Sequence, residues 1–202
     1  LHQGGSRAEA RARALQLLDQ VKVPCPAARL NNYPHEMSGG MRQRAMIALA
    51  LSCSPRLVLA DEPTTALDAT VQIQVLLLIR ELQQRLGMSA IFVTHDLGVA
   101  AEVCDRIAVM YAGRIVETGR TEDVLLHPQH PYTQALLAST IHGSLRGTRI
   151  EGIRGAPPDL TRLPQGCAFR DRCSRARSEC GGDVPVLQPV QGGHAVACYA
   201  AR

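Results

Sequence analysis

The chain has 202 residues, of which 46% are hydrophobic, enough for one large domain or for one domain with an appendage. Its net charge of +4 and its aromatic content of 3% argue against single-stranded nucleic acid as a partner, because such ligands stack on aromatic side chains. The longest apolar runs are far shorter than the roughly 20 residues of a membrane-spanning helix. The sequence begins with Leu1 and not Met, and it shows no signal-peptide pattern. We therefore expect a fragment of a longer, non-exported protein.

The first predicted element is an amphipathic helix from Ser6 to Val21, which Ser6 and Glu9 begin as a capping box. A second helix is predicted to begin at Ser38, followed by Gly39 and Gly40. A capped helix that starts with two glycines exposes backbone N–H groups and favours an anion. The alternative is an ordinary capped helix. The apolar run behind it predicts a buried helix.

An apolar run from Leu57 to Ala60 ends in Asp61 and Glu62, and Pro63 prevents the strand from continuing far. This pattern predicts a buried parallel strand that delivers two carboxylates to its C-terminal edge, where ligands bind in open α/β sheets. Such a strand is typical of the Walker B element of P-loop ATPases, in which the first acid holds Mg²⁺ and the second orients or deprotonates water. The alternative is a strand that ends in two solvated acids.

Asp68 is predicted to cap the next helix, and Gly87 to end it. A buried strand then leads to His95. From Asp68 onward the predicted elements are a helix over 69–86, a strand over 89–94, a helix over 97–104, a hairpin of 106–111 and 114–117, a helix over 121–126 capped by Thr121, and a helix through Leu137.

The composition loosens after Ser139, which predicts a domain boundary there. Four cysteines follow with the spacing C-x5-C-x6-C-x17-C, namely Cys167, Cys173, Cys180 and Cys198. Because a loop-rich, aromatic-poor segment builds little core, a metal ion or cluster is the favoured way to hold it together. Zinc and an iron–sulfur cluster both accept four thiolates, and the lack of a C-x2-C knuckle favours iron–sulfur. Unpaired cysteines and disulfides are the alternatives.

Several of these motifs together resemble one protein family. The run from Met37 through Ser38, Gly39 and Gly40 to Met41 and Gln43 resembles the signature loop of ABC-type ATPases, commonly LSGGQ. Residues 57–68 resemble the Walker B strand and the D-loop after it. The HPYT run at 130–133 and the PxGCxFxxRC pattern at 164–173 resemble the ATP-binding subunits of bacterial oligopeptide and dipeptide importers, to which nickel importers are related.

The resemblance implies an α/β fold in which 1–139 are the C-terminal part of an ABC-type P-loop ATPase domain with a helical signature region. Residues 140–202 would be a small Cys-rich, metal-binding C-terminal extension. Two ATPase domains of this family pair head to tail, with each ATP held between the Walker motifs of one domain and the signature loop of the other. The cofactors implied are ATP, Mg²⁺ and a [4Fe-4S] cluster on the four cysteines, with Zn²⁺ as the alternative.

The resemblance also implies a role for each candidate residue. Ser38, Gly39 and Gly40 are implied to contact the γ-phosphate, and Gln43 to take part in nucleotide binding. Asp61 is implied to bind Mg²⁺ and Glu62 to activate water. His95 is implied to sense the γ-phosphate, and Asp68 to couple the two sites across the interface.

The implied partners are a second ATPase subunit, identical or paralogous, and two transmembrane permease subunits, with an extracytoplasmic solute-binding protein acting indirectly and no nucleic acid. The implied location is peripheral, at the cytoplasmic face of the bacterial inner membrane. Because the solute never touches such a subunit, the sequence does not encode which peptide is moved.

No Walker A motif, G-x4-G-K-[ST], is present, since Lys22 is the only lysine and has no glycine-rich loop around it. No credible Q-loop is found either. We therefore expect the C-terminal part of a longer subunit, with part of its sheet and apolar surface exposed. A non-catalytic module that only completes a partner's ATP site is the main alternative. A DNA-repair ABC ATPase with a zinc module is disfavoured, because no heptad run or inserted module lies between Ser38 and Asp61.

Overall fold

The computed structural model describes residues 5–65, 67–139, 152–190 and 192–201. The helices in these ranges are α1 (Arg7–Gln20), α2 (Pro26–Arg29), α3 (Gly39–Leu51), α4 (Ala69–Leu86), α5 (Leu97–Val103), α6 (Thr121–Leu126) and α7 (Pro131–Ala138). The strands are β1 (Leu57–Asp61), β2 (Ser89–Val93), β3 (Arg106–Tyr111), β4 (Arg114–Arg120), β5 (Gln188–Pro189) and β6 (Ala195–Val196). None of the described helices combines the length and the apolar character needed to span a bilayer.

The chain forms two compact units, Leu1–Val99 and Ala100–Arg202. The second unit therefore contains α6 and α7 together with the C-terminal segment that carries the four cysteines, described over 152–190 and 192–201. The sequence predicts a different division, into 1–139 and 140–202. That division stays a prediction, because the change of composition falls on residues 140–151, which lie outside the described residues.

In the first unit β1 and β2 form a parallel pair, in register from Leu57 opposite Ser89 to Asp61 opposite Val93. The capping box of Ser6 and Glu9 and the Asp68 cap of α4 are confirmed. Helix α3 packs against α1 and α4, the three helices share a core, and Val58 of β1 packs against this core. The buried residues of this core are Leu17, Leu18, Val21, Val23, Ala48, Leu51, Leu78, Leu82 and Met88.

Only one face of this parallel pair is covered. Alternate residues of both strands are exposed, with Leu59 at 71% and Ile91 at 51% of their full accessibility. The prediction of a strand buried on both faces is therefore wrong, whereas the expected exposure of apolar sheet surface is observed. The α3 helix is also less buried than predicted, since Met46 and Leu49 are exposed. Burial of a parallel sheet depends on elements that cover both of its faces, and the described helices cover one.

The second unit is built on the predicted hairpin of β3 and β4, whose turn residues Ala112 and Gly113 both have positive φ angles (48° and 76°), as in a type I′ turn. Strand β4 continues to Arg120, beyond the predicted end. The sheet order is β3-β4-β6-β5. The prediction that Thr121 caps α6 is wrong, because the N-cap position is occupied by Arg120. Thr121 is the first helical residue, and its hydroxyl donates to the carbonyl of Cys104.

A buried carboxylate lies at the centre of this unit. Glu117 of β4 is fully buried and accepts hydrogen bonds from the backbone N–H groups of Gln129 (2.6 Å) and His130 (3.0 Å) and from His194 Nε2 (2.7 Å). Burial lowers the pKa of His130 to about 4, which keeps the ring neutral. Its Nδ1 therefore accepts the N–H of Tyr132 (3.0 Å) and caps α7. One side chain thus joins the strand, the start of α7 and the C-terminal segment that carries the cysteines and His194.

We expect Glu117→Ala to destabilise the second unit by about 3–5 kcal/mol, because it leaves buried donors without an acceptor. Urea unfolding of the 202-residue chain, followed by circular dichroism, measures the change. The exposed Glu122 offers a matched control, whose replacement by Ala should change stability by less than about 0.5 kcal/mol. Equal unfolding midpoints for the two variants would contradict the central role of Glu117.

Candidate functional site

The C-terminal ends of β1 and β2 lie side by side, so the residues that follow them meet at one edge of the sheet. Glu62 follows β1, and His95 follows β2 by two residues. Their side chains are in contact, with Glu62 Oε1 3.0 Å from His95 Nδ1. Since an ionised carboxylate can only accept, the shared proton belongs to Nδ1 of His95. The structure therefore brings together two residues for which the sequence predicts catalytic roles.

The backbone of Glu62 is held in an unusual conformation. Its φ angle is +43°, in the left-handed region that costs a non-glycine residue roughly 1–2 kcal/mol. The Glu62 N–H donates to the carbonyl of Val93 in the neighbouring strand (2.9 Å). Strained backbone of this kind clusters at functional sites, where the surroundings fix it. The strand pair therefore sets the direction in which the Glu62 side chain leaves the sheet edge.

Thr65 also contacts this carboxylate, although no predicted role in the sequence pointed to it. Residues 62–65 form a turn in which the Thr65 N–H donates to the Glu62 carbonyl (3.2 Å). The Thr65 hydroxyl also donates to Glu62 Oε2 (2.8 Å). Pro63 is the signal that could have pointed to Thr65. Proline favours the second position of a β-turn, and such a turn brings its fourth residue, here Thr65, back to its first residue, Glu62.

Both hydrogen bonds favour the ionised form of Glu62. The Thr65 hydroxyl is the larger cause and His95 the next, and together they lower the pKa of Glu62 below its ordinary value. Glu62 and His95 are nevertheless solvent-exposed, at 44% and 79% of their side-chain surface. The arrangement is thus a charged hydrogen-bond acceptor, fixed in direction and open to water.

The start of α3 is positioned by close packing. Ser38 caps the helix by accepting the N–H of Met41 (3.3 Å). A Cβ added at Gly40 would lie 2.7 Å from Val71 Cγ1, and one added at Gly39 would lie 3.3 Å from Leu67 Cδ2. The two glycines therefore let the first turn of α3 lie against the start of α4, and they also leave the N–H groups of that turn uncovered.

The remaining candidates occupy more ordinary positions. Asp61 is the exposed last residue of β1, and Gln43 is half-buried on the second turn of α3. Asp68 accepts the N–H of Val71 (3.0 Å), so its side chain caps α4. Lys22 forms a surface ion pair with Glu81 (2.5 Å). The structure therefore gives the only lysine no role in phosphate binding.

In the second unit the four cysteines of the C-terminal segment line one small cavity. Gly166 permits this approach, because its φ angle is +76° and a Cβ there would lie 2.3 Å from the carbonyl oxygen of Cys180. Backbone N–H groups donate to three of the sulfurs. These contacts are Arg175 N to Cys173 Sγ (3.3 Å), Arg177 N to Cys180 Sγ (3.4 Å) and Ala200 N to Cys198 Sγ (3.3 Å).

Burial is the main cause that raises the pKa of the Cys167 and Cys173 thiols above the ordinary value. Within the described ranges, no three His, Cys, Asp or Glu side chains stand close enough to hold an ion as they are placed. The chemistry of the donor set, four thiols on one cavity with N–H donors to sulfur, nevertheless fits a thiolate-bound metal.

Two protein families match parts of the chain. Residues 2–65 match the family described as "ABC transporter". Residues 116–180 match the family described as "Oligopeptide/dipeptide transporter, C-terminal region". The first match includes the glycines of α3 and the two acids Asp61 and Glu62. The second includes Glu117, the HPYT run and three of the four clustered cysteines.

Curated relatives align along nearly the whole chain. A probable peptide ABC transporter ATP-binding protein of Sinorhizobium fredii is 53% identical over 98% of this chain and 60% of its own length. The oligopeptide transport ATP-binding protein OppD of Salmonella typhimurium is 48% identical, over 98% of this chain and 59% of its own. The dipeptide transport ATP-binding protein DppD of Escherichia coli is 45% identical, over 98% of this chain and 61% of its own length. The chain thus spans about 60% of the length of these relatives.

Solved structures show the same fold. The ATP-binding cassette MJ0796, in a dimeric post-hydrolysis state with ADP and Pi, aligns with a TM-score of 0.51 and 34% identity over 58% of this chain and 50% of its own. The cbiO1 protein of Clostridium perfringens, part of the ABC transporter complex cbiONQ, aligns with a TM-score of 0.54 and 29% identity. The alignment covers 61% of this chain and 48% of cbiO1. The fold is therefore that of an ABC ATPase domain, of mixed α/β class.

We expect Gly40→Ala to destabilise the first unit by about 1–3 kcal/mol through overpacking against Val71, even though alanine favours helix by about 1 kcal/mol. Chemical denaturation of the single variants and the double variant measures this. The matched control is the additional change Val71→Ala, which removes the clashing methyl groups and should recover most of the loss. Additive effects of the two substitutions would contradict the contact.

Proposed function

The chain belongs to the family of ATP-binding subunits of oligopeptide and dipeptide ABC transporters, and from this premise we propose that it is the part of such a subunit that helps to bind and hydrolyse ATP to power peptide import. The observation that carries the proposal is the Glu62 carboxylate, fixed between His95 and Thr65 at the edge of the β1–β2 pair. A directed, ionised and water-exposed carboxylate is what activation of a water molecule requires.

Each residue at the sheet edge has a proposed role. Asp61 would hold Mg²⁺, which when bound neutralises charge on the phosphates. Glu62 accepts a proton from the attacking water or orients it. His95, already a donor to Glu62, contacts the γ-phosphate and registers its loss. Asp68, which caps α4, couples this site to the second one across the subunit interface.

The start of α3 would act on the ATP of a partner subunit. The uncovered N–H groups at Gly39 and Gly40, together with the hydroxyl of Ser38, form an anion-binding helix terminus of the kind that receives phosphate. Gln43 lies one turn further along. Closure of two such subunits on ATP, and their opening after hydrolysis, would drive the permease.

The proposed partners are a second ATPase subunit and two transmembrane permease subunits, with an extracytoplasmic solute-binding protein acting indirectly. The proposed location is peripheral, at the cytoplasmic face of the bacterial inner membrane. The alternative is a narrower function, in which the chain completes a partner's ATP site without catalysis.

We expect Glu62→Gln, made in the complete subunit that contains this chain, to abolish ATP turnover and spare ATP binding, since glutamine keeps the shape but cannot accept the proton. Phosphate release measures turnover, and equilibrium binding of a fluorescent ATP analogue measures affinity. The exposed Glu102 offers a control, because Glu102→Gln should leave both measurements unchanged. Near-normal turnover in Glu62→Gln would reject the catalytic role of Glu62, and hydrolysis by the complete wild-type subunit would reject the non-catalytic alternative.

We further propose that Cys167, Cys173, Cys180 and Cys198 hold a metal centre in the C-terminal segment. The support is their common cavity, the N–H donors to sulfur, and the family match through this region. Hydrogen bonds to sulfur stabilise thiolate ligands and tune iron–sulfur clusters. A [4Fe-4S] cluster is favoured over Zn²⁺ because no C-x2-C knuckle is present. When bound, the metal would supply folding free energy.

We expect the anaerobically purified chain to contain iron and acid-labile sulfide, and Cys180→Ser to lose them together with thermal stability. Elemental analysis and visible absorbance measure the metal content. The exposed Cys53 provides the control, because Cys53→Ser should retain the metal. Zinc in place of iron would select the alternative, and equal metal content in the two variants would exclude the four-cysteine site.

A further inference from the structure

We propose that Thr65 is a positioning residue that aligns the Glu62 carboxylate for activation of water. The inference rests on the proposed function and deepens it, because it names the residue through which the reactive carboxylate is held. In this proposal Thr65 acts by orienting Glu62 and does not itself contact ATP.

The carboxylate is held at both of its oxygens, by partners from two different segments. His95 donates to Oε1 at 3.0 Å, and the Thr65 hydroxyl donates to Oε2 at 2.8 Å. Two bonds to two oxygens fix the plane of a carboxylate, whereas one bond leaves it free to rotate. Positioning of this kind contributes strongly to rate, because small misplacements of a reacting group are costly.

Backbone hydrogen bonds hold the turn that carries Thr65. The Thr65 N–H donates to the Glu62 carbonyl, and the two residues between them, Pro63 and Thr64, are buried. The Leu67 N–H donates to the Thr64 carbonyl (3.2 Å) and closes the next turn. The side chains of Thr65 and His95 are both exposed, that of His95 by 79%. The turn therefore places the Thr65 hydroxyl against Oε2 of Glu62 through short-range contacts, whereas His95 reaches Oε1 from the end of the neighbouring strand.

The hydroxyl, and not the shape of the side chain, carries this role. Valine has nearly the same shape and the same β-branched stiffness as threonine but donates no hydrogen bond. Serine keeps the hydroxyl and lacks the methyl group. The pair Thr65→Val and Thr65→Ser therefore separates hydrogen bonding from packing.

We would measure steady-state ATP hydrolysis by the complete subunit, assembled with its transporter, for wild type, Thr65→Val, Thr65→Ser and Glu62→Gln. Thr65→Val should lower kcat about 10- to 100-fold with little change in KM for ATP. The acid limb of its kcat–pH profile should move to higher pH, because the hydrogen bond that lowers the Glu62 pKa is lost. Thr65→Ser should restore both kcat and the profile. Melting temperatures of all variants verify that each is folded.

Wild-type kcat in Thr65→Val, with Glu62→Gln inactive, would overturn the inference and leave the proposed function in place. Equal losses in Thr65→Val and Thr65→Ser, with lowered melting temperatures and an unchanged pH profile, would also overturn it, because they indicate a packing role. Absence of hydrolysis in the wild-type subunit would overturn the proposed function and with it the inference. That case is recognised because Glu62→Gln then changes nothing.

Discussion

The candidate site depends on the parallel pairing of β1 and β2. Pairing brings the ends of the two strands to one edge, and the bond from the Glu62 N–H to the Val93 carbonyl holds Glu62 at a φ of +43°. That conformation turns the chain away from the ladder, so the carboxylate meets His95 from the neighbouring strand and Thr65 from the following turn. This strained conformation is held by the Val93 hydrogen bond and by the two hydrogen bonds to the carboxylate. In another register of this pair, the side chains of Glu62, His95 and Thr65 would not meet at one point.

A steric constraint links this edge to the start of α3. Gly39 and Gly40 face Leu67, which precedes the Asp68 cap, and Val71, whose N–H donates to that cap. The same lack of a Cβ therefore serves two purposes, because it lets two helix starts pack closely and leaves backbone donors uncovered. The structural and the anion-binding interpretations of the glycine motif are thus compatible. Thr65 and Leu67 belong to consecutive turns. A change in the turn after Glu62 would therefore alter the packing of Leu67 against Gly39.

Local signals predicted most of the elements. Ser6 with Glu9, Asp68 with Gly87, and Ala112 with Gly113 each fix a helix end or a turn by interactions within a few residues, and all were found as predicted. What the sequence could not predict depends on distant partners. Glu117 has the polarity of an exposed residue, yet it is buried because His194, 77 positions away, donates to it. The exposure of Leu59 and Ile91 contradicts the burial that the apolar strand runs predict, and it agrees with the exposed sheet surface expected because no Walker A motif is present.

The two units are therefore held together internally in different ways. The first has a helical core with apolar packing, and the side chains for which chemistry is proposed lie at the edge of its strand pair. The second has a smaller apolar core around β3 and β4, and its C-terminal segment is attached through a buried carboxylate and placed so that four thiols share a cavity. A buried acid is stable only while its donors stay in place. Because His194 and the cysteines belong to the same segment, a metal bound there would also hold His194 against Glu117. Metal binding and the seating of that segment on β4 would then be one cooperative event.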